Sequence, residues 1–264
     1  MTRFAALWGC VALVFGLAAQ SGAQTAPLEV RADVLVVNST AQTLEARGNV
    51  RISDGRVVVV APRATYYVRE RRILLSSGVS ATTPEGTLRS RTASVFLGPR
   101  NTMDRLDAQG SVTVRAGSRV LSADRLIYAL STKQLTATGN VQFAAPTGVA
   151  TGRSLVADLR VNTGTLTPAQ IRSKEGTISG DRLDVDNVGR QAVLRGHVAG
   201  TFGATRLTSE TATVYEREKK IVFRGNVRVT RPGRVLAADT VTFYYEEDRL
   251  VAEGQTRILI QETP

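Results

Sequence analysis

The chain contains very little cysteine, histidine or tryptophan, and this scarcity excludes several classes of function. Its 264 residues include one of each, Cys10, His197 and Trp8. A disulfide framework needs paired cysteines, and zinc sites draw on several cysteines and histidines. A Ser/His/Asp triad would have to use His197, and no nucleophile motif accompanies it. We therefore interpret His197 as a strand or turn residue and predict a protein that is not an enzyme, with no metal and no cofactor.

The first 23 residues have the features of a signal peptide. Arg3 precedes an apolar run from Phe4 to Ala19, which is long enough for the hydrophobic region of a signal peptide and short for a membrane span. The small residues at 21–23 predict cleavage after Ala23. We expect export of residues 24–264. A retained N-terminal anchor is the alternative, and a lipoprotein site at Cys10 fits less well.

The rest of the chain is a degenerate repeat of about 29 residues. It is clearest where Leu121-Ser122-Ala123-Asp124 matches Leu236-Ala237-Ala238-Asp239. With the aspartate as position zero, eight copies follow at spacings of 29, 29, 33, 29, 28, 29 and 29 residues. The residues at position zero are Asp33, Pro62, Arg91, Asp124, Arg153, Asp181, Glu210 and Asp239.

The side-chain pattern of each copy predicts two strands. The residues three before and four after position zero are apolar, and the residue just before it is small. Because side chains alternate with period two along a strand, this change of parity predicts a bulge or bend at position zero. The second half alternates cleanly and contains a recurring Gly-Asn-Val, as at 139–141. We therefore predict about sixteen antiparallel strands in a single elongated all-β domain over 24–264.

The recurring carboxylates at position zero do not indicate calcium or glycosidase chemistry. The same register holds Pro62, Arg91 and Arg153, so the position tolerates opposite charge and no charge. We interpret the carboxylates as solvated or bend-capping groups.

The charge and the apolar face indicate an anionic lipid. The formal net charge is +11 and aromatic residues make up 5% of the chain. Export argues against a nucleic-acid partner, which leaves anionic lipid or glycolipid phosphate as the source of opposite charge. An inward face of Val, Leu, Ile and Ala suits aliphatic chains, although a dry packed core explains that face equally well.

The Ala-Asp register and the motif Leu-x-Ala-x-Gly-Asn-Val at 135–141 resemble the OstA-like family, the LptA–LptC group of periplasmic lipopolysaccharide-transport proteins. The resemblance covers roughly residues 28–262 and implies an open β-jellyroll whose interior holds the acyl chains of lipopolysaccharide. It also implies end-to-end strand pairing with other OstA-like domains, those of an inner-membrane export complex and an outer-membrane assembly protein, or with further copies of this chain. A cleavable signal and about sixteen strands look more like LptA than LptC, and an LptC-like role stays open.

These arguments define two sets of candidate residues. The predicted inward, lipid-binding residues are Val30, Val59, Leu88, Leu121, Tyr128, Val141, Phe143, Ile178, Leu207, Val227, Leu236 and Phe243. The predicted edges for assembly contain Val34, Val36, Ile258 and Ile260. The alternative function is a structural envelope protein with a dry core. A polysaccharide-processing enzyme on a β-helix is disfavoured by the missing catalytic residues and the hairpin-like turns.

Overall fold

The computed structural model describes residues 28–55, 57–84, 86–99 and 101–260. The predicted signal peptide at 1–23 lies outside these residues. In the described part of the chain all regular structure is β, and the strand pairings are antiparallel. The predicted all-β class is therefore confirmed. These residues contain no helix of the length and hydropathy that a membrane span requires.

The backbone divides into two compact units, and the boundary falls within β11 (Gln134–Ala145) and again at the end of β12, where residues 158–160 belong to the N-terminal unit. The prediction of one continuous repeat domain over 24–264 stays a prediction. The N-terminal unit contains β1 Glu29–Arg31, β2 Val34–Asn38, β3 Thr43–Ser53, β4 Val58–Tyr67, β5 Arg72–Ser76, β6 Val79–Thr83, β7 Gly86–Ser90, β8 Thr92–Leu97, β9 Met103–Ala116 and β10 Arg119–Ala129. The C-terminal unit contains β12 Gly148–Asp158, β13 Thr163–Thr167, β14 Ala169–Arg172, β15 Gly176–Gly180, β16 Arg182–Asp186, β17 Gln191–Phe202, β18 Thr205–Tyr215, β19 Lys220–Arg231, β20 Arg234–Tyr244, β21 Arg249–Glu253 and β22 Arg257–Ile260.

The sixteen predicted segments are present, but six of them are interrupted, which gives 22 strands in the described part of the chain. The interruptions separate β1 from β2, β5 from β6, β7 from β8, β13 from β14, β15 from β16 and β21 from β22. Each break lies where the repeat predicts a bend. At the break between β5 and β6, for example, Ser77 and Gly78 both have positive φ and cannot continue the strand. Both strands of a broken segment still pair with the same neighbour, as β1 and β2 do with β3.

The bends are built from a glycine and the side chain at position zero, an arrangement that we call the corner. Gly48, Gly110, Gly139, Gly196 and Gly225 all have positive φ, and so does the residue that follows each of them. Pairs of left-handed residues make a bulge, and the ladder shifts register there, as between Arg224 and Val227. The bend predicted from the parity change is confirmed.

The position-zero carboxylates cap these corners, as the sequence predicts. Asp124 accepts a hydrogen bond from Asn140 Nδ2 at 2.9 Å, and Glu210 accepts one from Asn226 Nδ2 at 2.7 Å. Asp33 accepts one from Asn49 Nδ2 at 2.9 Å. In the repeat that contains His197, imidazole Nδ1 lies 2.7 Å from Asp181 Oδ2, so His197 occupies the asparagine position. Each bond joins residues that are 16 apart, which ties the two strands of a repeat across the corner.

The turns at one end of the repeats, such as those that contain Gln42, Arg71 and Lys133, are joined to one another by a regular ladder of backbone hydrogen bonds. In six of the eight repeats the N–H of the residue six after position zero donates to the carbonyl of a left-handed residue in the turn of the preceding repeat. The donor and acceptor pairs are Val68 with Gln42, Leu97 with Arg71, Leu159 with Lys133, Asn187 with Asn162, Glu216 with Arg190 and Tyr245 with Lys219. This bonding satisfies backbone groups that would otherwise be left open at the turns.

Candidate functional site

The inward face of each unit carries two continuous rows of apolar side chains, one on each side of the corners. We define the first row by the residues three before position zero and their cross-strand partners. In the N-terminal unit it consists of Val30, Ile52, Val59, Ala81, Leu88, Val114 and Leu121. In the C-terminal unit it consists of Ala150, Ile171, Ile178, Gly200, Leu207, Val229, Leu236 and Ile258.

The second row lies on the other side of the corners. In the N-terminal unit it consists of Val37, Leu44, Tyr66, Ile73, Val95, Leu106 and Tyr128. In the C-terminal unit it consists of Gly164, Val185, Ala192, Val214, Ile221, Phe243 and Leu250. Because directly opposed side chains are close neighbours, each row forms an apolar band, in which Gly164 and Gly200 are the positions without a side chain.

Most of the predicted inward residues lie within these bands. The buried residues within the bands are Val59, Leu88, Leu121, Ile178, Leu207 and Phe243. Val141, Phe143 and Val227 are buried too, outside the two rows. Tyr128 and Leu236 are half-buried, and Val30 is 37% exposed because its strand is at the edge of its unit. Their function in lipid binding stays a prediction.

The predicted edge residues lie on strands that pair on one side within their units. Among the described residues, β1 and β2 pair with β3, and β22 pairs with β20. Val34 and Val36 are on β2, opposite the exposed Arg47 and the half-buried Glu45, so their side chains point away from the inward face. Leu35 and Val37 of the same strand point inward, because they are opposite Ala46 and Leu44.

The other predicted edge is more apolar. Ile258 belongs to the first row but is 61% exposed, and Ile260 is 70% exposed. Leu259 on the opposite face of β22 is exposed too. The apolar rows are thus buried or half-buried along the middle strands and are exposed to solvent at the edge strands. The use of these edge strands in assembly stays a prediction.

The outward face is polar and carries cross-strand ion pairs. Arg125 donates two hydrogen bonds to Asp107, at 2.9 and 2.6 Å. Burial raises the pKa of the Asp107 carboxyl, but hydrogen bonds from Arg125 and Gln109 and the charges of Arg125 and Arg105 outweigh it, and the pKa is lowered. No group of three or more Asp, Glu, His or Cys in the described residues is arranged to hold a metal.

Tyr245 provides a pH-dependent contribution to stability. Burial and the charges of Glu216 and Glu246 raise its pKa above the ordinary value of 10.0. Its hydroxyl donates to the backbone carbonyl of Glu216 at 3.4 Å. A raised folded-state pKa means that the contribution is complete below the unfolded pKa and is lost as pH rises through the folded pKa. Above about pH 10 we expect the free energy of unfolding to fall less steeply with pH in the Tyr245→Phe variant than in the wild type. Denaturant titrations at a series of pH values measure this difference. Parallel curves would contradict this assignment.

Asn187 is a polar residue in a position that holds leucine in other repeats. The side-chain nitrogen and oxygen of Asn187 are buried and have no hydrogen-bond partner in the described part of the chain. The equivalent residues six after position zero include Leu97, Leu130 and Leu159. We expect Asn187→Leu to raise the free energy of unfolding by about 1–2 kcal/mol, because an unpaired buried amide is removed. Asn187→Asp is the control of nearly equal size and should be destabilising. A loss of stability in the leucine variant would show that the amide has a partner.

Alternating apolar repeats, capped corners and two apolar rows define an all-β repeat protein with a polar outward and an apolar inward face. The sequence model of the family described as LptA/(LptD N-terminal domain) LPS transport protein matches residues 29–163, 100–188 and 206–263. The chain belongs to this family, which confirms the family predicted from its repeat.

Two individual proteins are similar to the chain. It is 31% identical over 104 residues to the LPS-assembly protein LptD of Nitrosomonas europaea, and the match covers 39% of this chain and 13% of that protein. The crystal structure of LptH, the LptA homologous periplasmic component of the lipopolysaccharide transport device of Pseudomonas aeruginosa, aligns at 8% identity with a TM-score of 0.21. That alignment covers 90% of this chain and 96% of LptH.

Proposed function

We propose that this chain is a non-enzymatic periplasmic carrier or bridge for lipopolysaccharide or a related glycolipid. In this role its inward face holds the acyl chains, and it passes the lipid from the inner to the outer membrane. The observation that supports the proposal best is the pair of continuous apolar rows in each unit of a chain that belongs to an LPS-transport family. Exposure of the rows at the edge strands gives an acyl chain a place to make first contact.

The energetics suit a carrier better than a tight receptor. An acyl chain gains about 0.8 kcal/mol for each methylene that it buries. The gain is distributed over many aliphatic side chains of similar size, so no single residue decides the affinity. A lipid held in this way can move from one part of the band to the next without crossing a large barrier.

The edge strands are the proposed docking surfaces for other OstA-like domains. Among the described residues, β1, β2 and β22 each have a strand neighbour on one side, and the backbone groups of the other side have no strand partner there. An unpaired edge is a template for an added strand. Exposed Val34, Val36, Ile258 and Ile260 would be covered by such a strand. The matching partner is an OstA-like domain of the inner-membrane complex or of the outer-membrane assembly protein, or a second copy of this chain.

The test is photo-crosslinking in the envelope of living cells. A crosslinking amino acid at the inward positions Leu121, Val141 or Leu207 is expected to capture lipopolysaccharide. The same group at the outward Arg125 is the matched control and should capture none. Capture at Arg125 alone would contradict the proposal.

A structural envelope protein with a dry core is the second candidate. The observation that favours it is the packing of the middle strands, where Ile171, Ile178, Leu194 and Ile221 are inaccessible to water. Native mass spectrometry of the protein purified from its own envelope separates the two. A carrier should arrive with acyl lipid, and a dry-core protein should arrive without it. An LptC-like role is distinguished by whether the mature chain fractionates with the inner membrane.

A further inference from the structure

The hairpin between β19 and β20 places two arginines directly opposite each other. Arg231 and Arg234 are cross-strand partners that close a two-residue loop, Pro232-Gly233. Directly opposed residues of an antiparallel pair project to the same face of the sheet. Both guanidinium groups therefore lie on one side of this hairpin.

That side is the apolar one. Alternation along β19 puts Arg231 on the same face as Val229 and Val227, and alternation along β20 puts Arg234 with Leu236. Arg231 Nε donates a hydrogen bond to Thr205 Oγ1 at 3.1 Å, and Thr205 is 9% exposed, which fixes Arg231 at the rim of the first row. Two positive charges thus stand beside a band that is otherwise built of aliphatic side chains.

No acidic side chain balances this pair within the described residues. Neither arginine forms an ion pair there, and Arg231 has Thr205 as its side-chain partner. The strand halves 198–202, 205–209, 227–231, 234–238 and 257–260 contain five arginines and no aspartate or glutamate. Opposed like charges destabilise a sheet, so the pair is a local conflict of the kind that marks functional sites.

The other hairpins at this end of the repeats lack such a pair. Their closing residues are Ser53 with Val58, Thr83 with Gly86, Ala116 with Arg119, Ser173 with Gly176 and Phe202 with Thr205. The turn between β11 and β12 is flanked by Ala145 and Gly148, which are also uncharged. These closing pairs contain one charged residue between them. The double charge is therefore a property of the last hairpin and not a demand of the repeat.

We infer that Arg231 and Arg234 bind the phosphate group of an anionic amphiphile whose acyl chains lie along the first row at Val229, Leu236 and Ile258. The inference rests on the proposed function, which concerns the acyl chains, and adds the residues that bind the headgroup. Guanidinium groups bind phosphate through paired hydrogen bonds, and two of them match a phosphomonoester in charge. The aliphatic residues beside them favour a lipid over free phosphate, because free phosphate gains nothing from an apolar surface.

The experiment compares binding of lipid A that carries two phosphates with binding of the same lipid after phosphatase treatment. The full chain is tested as the wild type, as Arg231→Gln/Arg234→Gln, and as the control Arg206→Gln/Arg228→Gln. The control removes the same charge from the outward face of β18 and β19, where Arg206 and Arg228 are both exposed. We expect the first variant to bind phosphorylated lipid A about tenfold or more weakly, and the control to stay within about twofold. Binding of the phosphatase-treated lipid should be unchanged in both.

Each other outcome has a definite meaning. Equal binding of both lipids by the wild type would overturn the phosphate inference while the proposed function stands. Binding of neither lipid would overturn both. Displacement of bound lipid A by 10 mM inorganic phosphate would assign the pair to free phosphate. An affinity loss that is the same for both lipids, or seen only with an acidic partner protein, would also overturn the inference.

A single substitution separates binding from stability. Arg234→Glu replaces the opposed like charges by an opposed ion pair with Arg231, so we expect Tm to rise by about 1–2 °C. The same change should weaken binding of phosphorylated lipid A at least as much as the double glutamine variant does. If the pair were structural, stability and binding would fall together.

Discussion

Replacement of Phe223 by alanine is expected to lower the free energy of unfolding by about 3–5 kcal/mol. Phe223 is 2% exposed and lies on the inward face of β19, where its cross-strand neighbours are Ala212 and Val241. Small residues on both sides make room for the ring, and none of them can fill the space that alanine would leave. The cavity therefore persists and adds to the lost transfer free energy.

Urea unfolding followed by circular dichroism measures this effect. Val156→Ala is the control, because Val156 is exposed on β12 of the same unit and should change stability by less than about 0.5 kcal/mol. Acyl lipid that binds the folded state should restore part of the loss in Phe223→Ala. Similar stabilities of the two variants would contradict the burial of Phe223 on the inward face.

Gly225→Ala is expected to cost about 2–3 kcal/mol, although the change adds one methyl group. The φ of Gly225 is +80°, and this left-handed conformation costs an alanine about 1–2 kcal/mol. A Cβ at this position would also lie 2.8 Å from Glu210 Cβ, and Glu210 Oε2 and Cδ would be closer still. Glu210 must then move, and its hydrogen bond with Asn226 is lost.

Gly203→Ala isolates the contribution of the corner. Gly203 also has positive φ, at +57°, but a Cβ there would meet nothing within 4 Å. In this variant the free energy of unfolding should fall by about 1 kcal/mol, because the left-handed backbone conformation alone is unfavourable for alanine. Thermal unfolding of both variants gives the difference. Equal costs would mean that the side chain at position zero contributes nothing to the corner.

The corners and rows could be predicted from the sequence because the same side-chain pattern recurs in eight copies of the repeat. The change of parity at Asp124 and Asp239 and the glycine of each Gly-Asn-Val together require a bend, and the structure has it. Alternation along each half then determines which residues are inward, which is why Val59, Ile178 and Leu207 are buried where they were expected.

Single departures from the repeat were not predicted. Asn187 is a buried polar residue at a register position where three other repeats have leucine. Arg231 and Arg234 interrupt the alternation of Val227, Val229, Leu236 and Ala238. The signal was in the Arg-Pro-Gly-Arg turn, because a two-residue loop makes its flanking residues direct partners. The outward direction of Val34 and Val36 follows from the pairing of β2 with β3, which the apolar run from Val34 to Val37 does not reveal.

The ladder of stacked turns determines where this chain can change in length. The third repeat has four extra residues, and they lie at a turn, where Gly98 N–H donates to Thr102 O and closes the added loop on itself. Beyond the loop, Leu130 N–H donates to Asp104 O and restores the ladder. An insertion of one residue inside a strand would instead separate the side chains that are hydrogen-bonded 16 residues apart across a corner. It would also turn the following side chains of that strand to the opposite face of the sheet. Natural relatives should therefore differ in length at turn tips or by whole repeats, and a tag or reporter placed between residues 98 and 102 should leave both units folded.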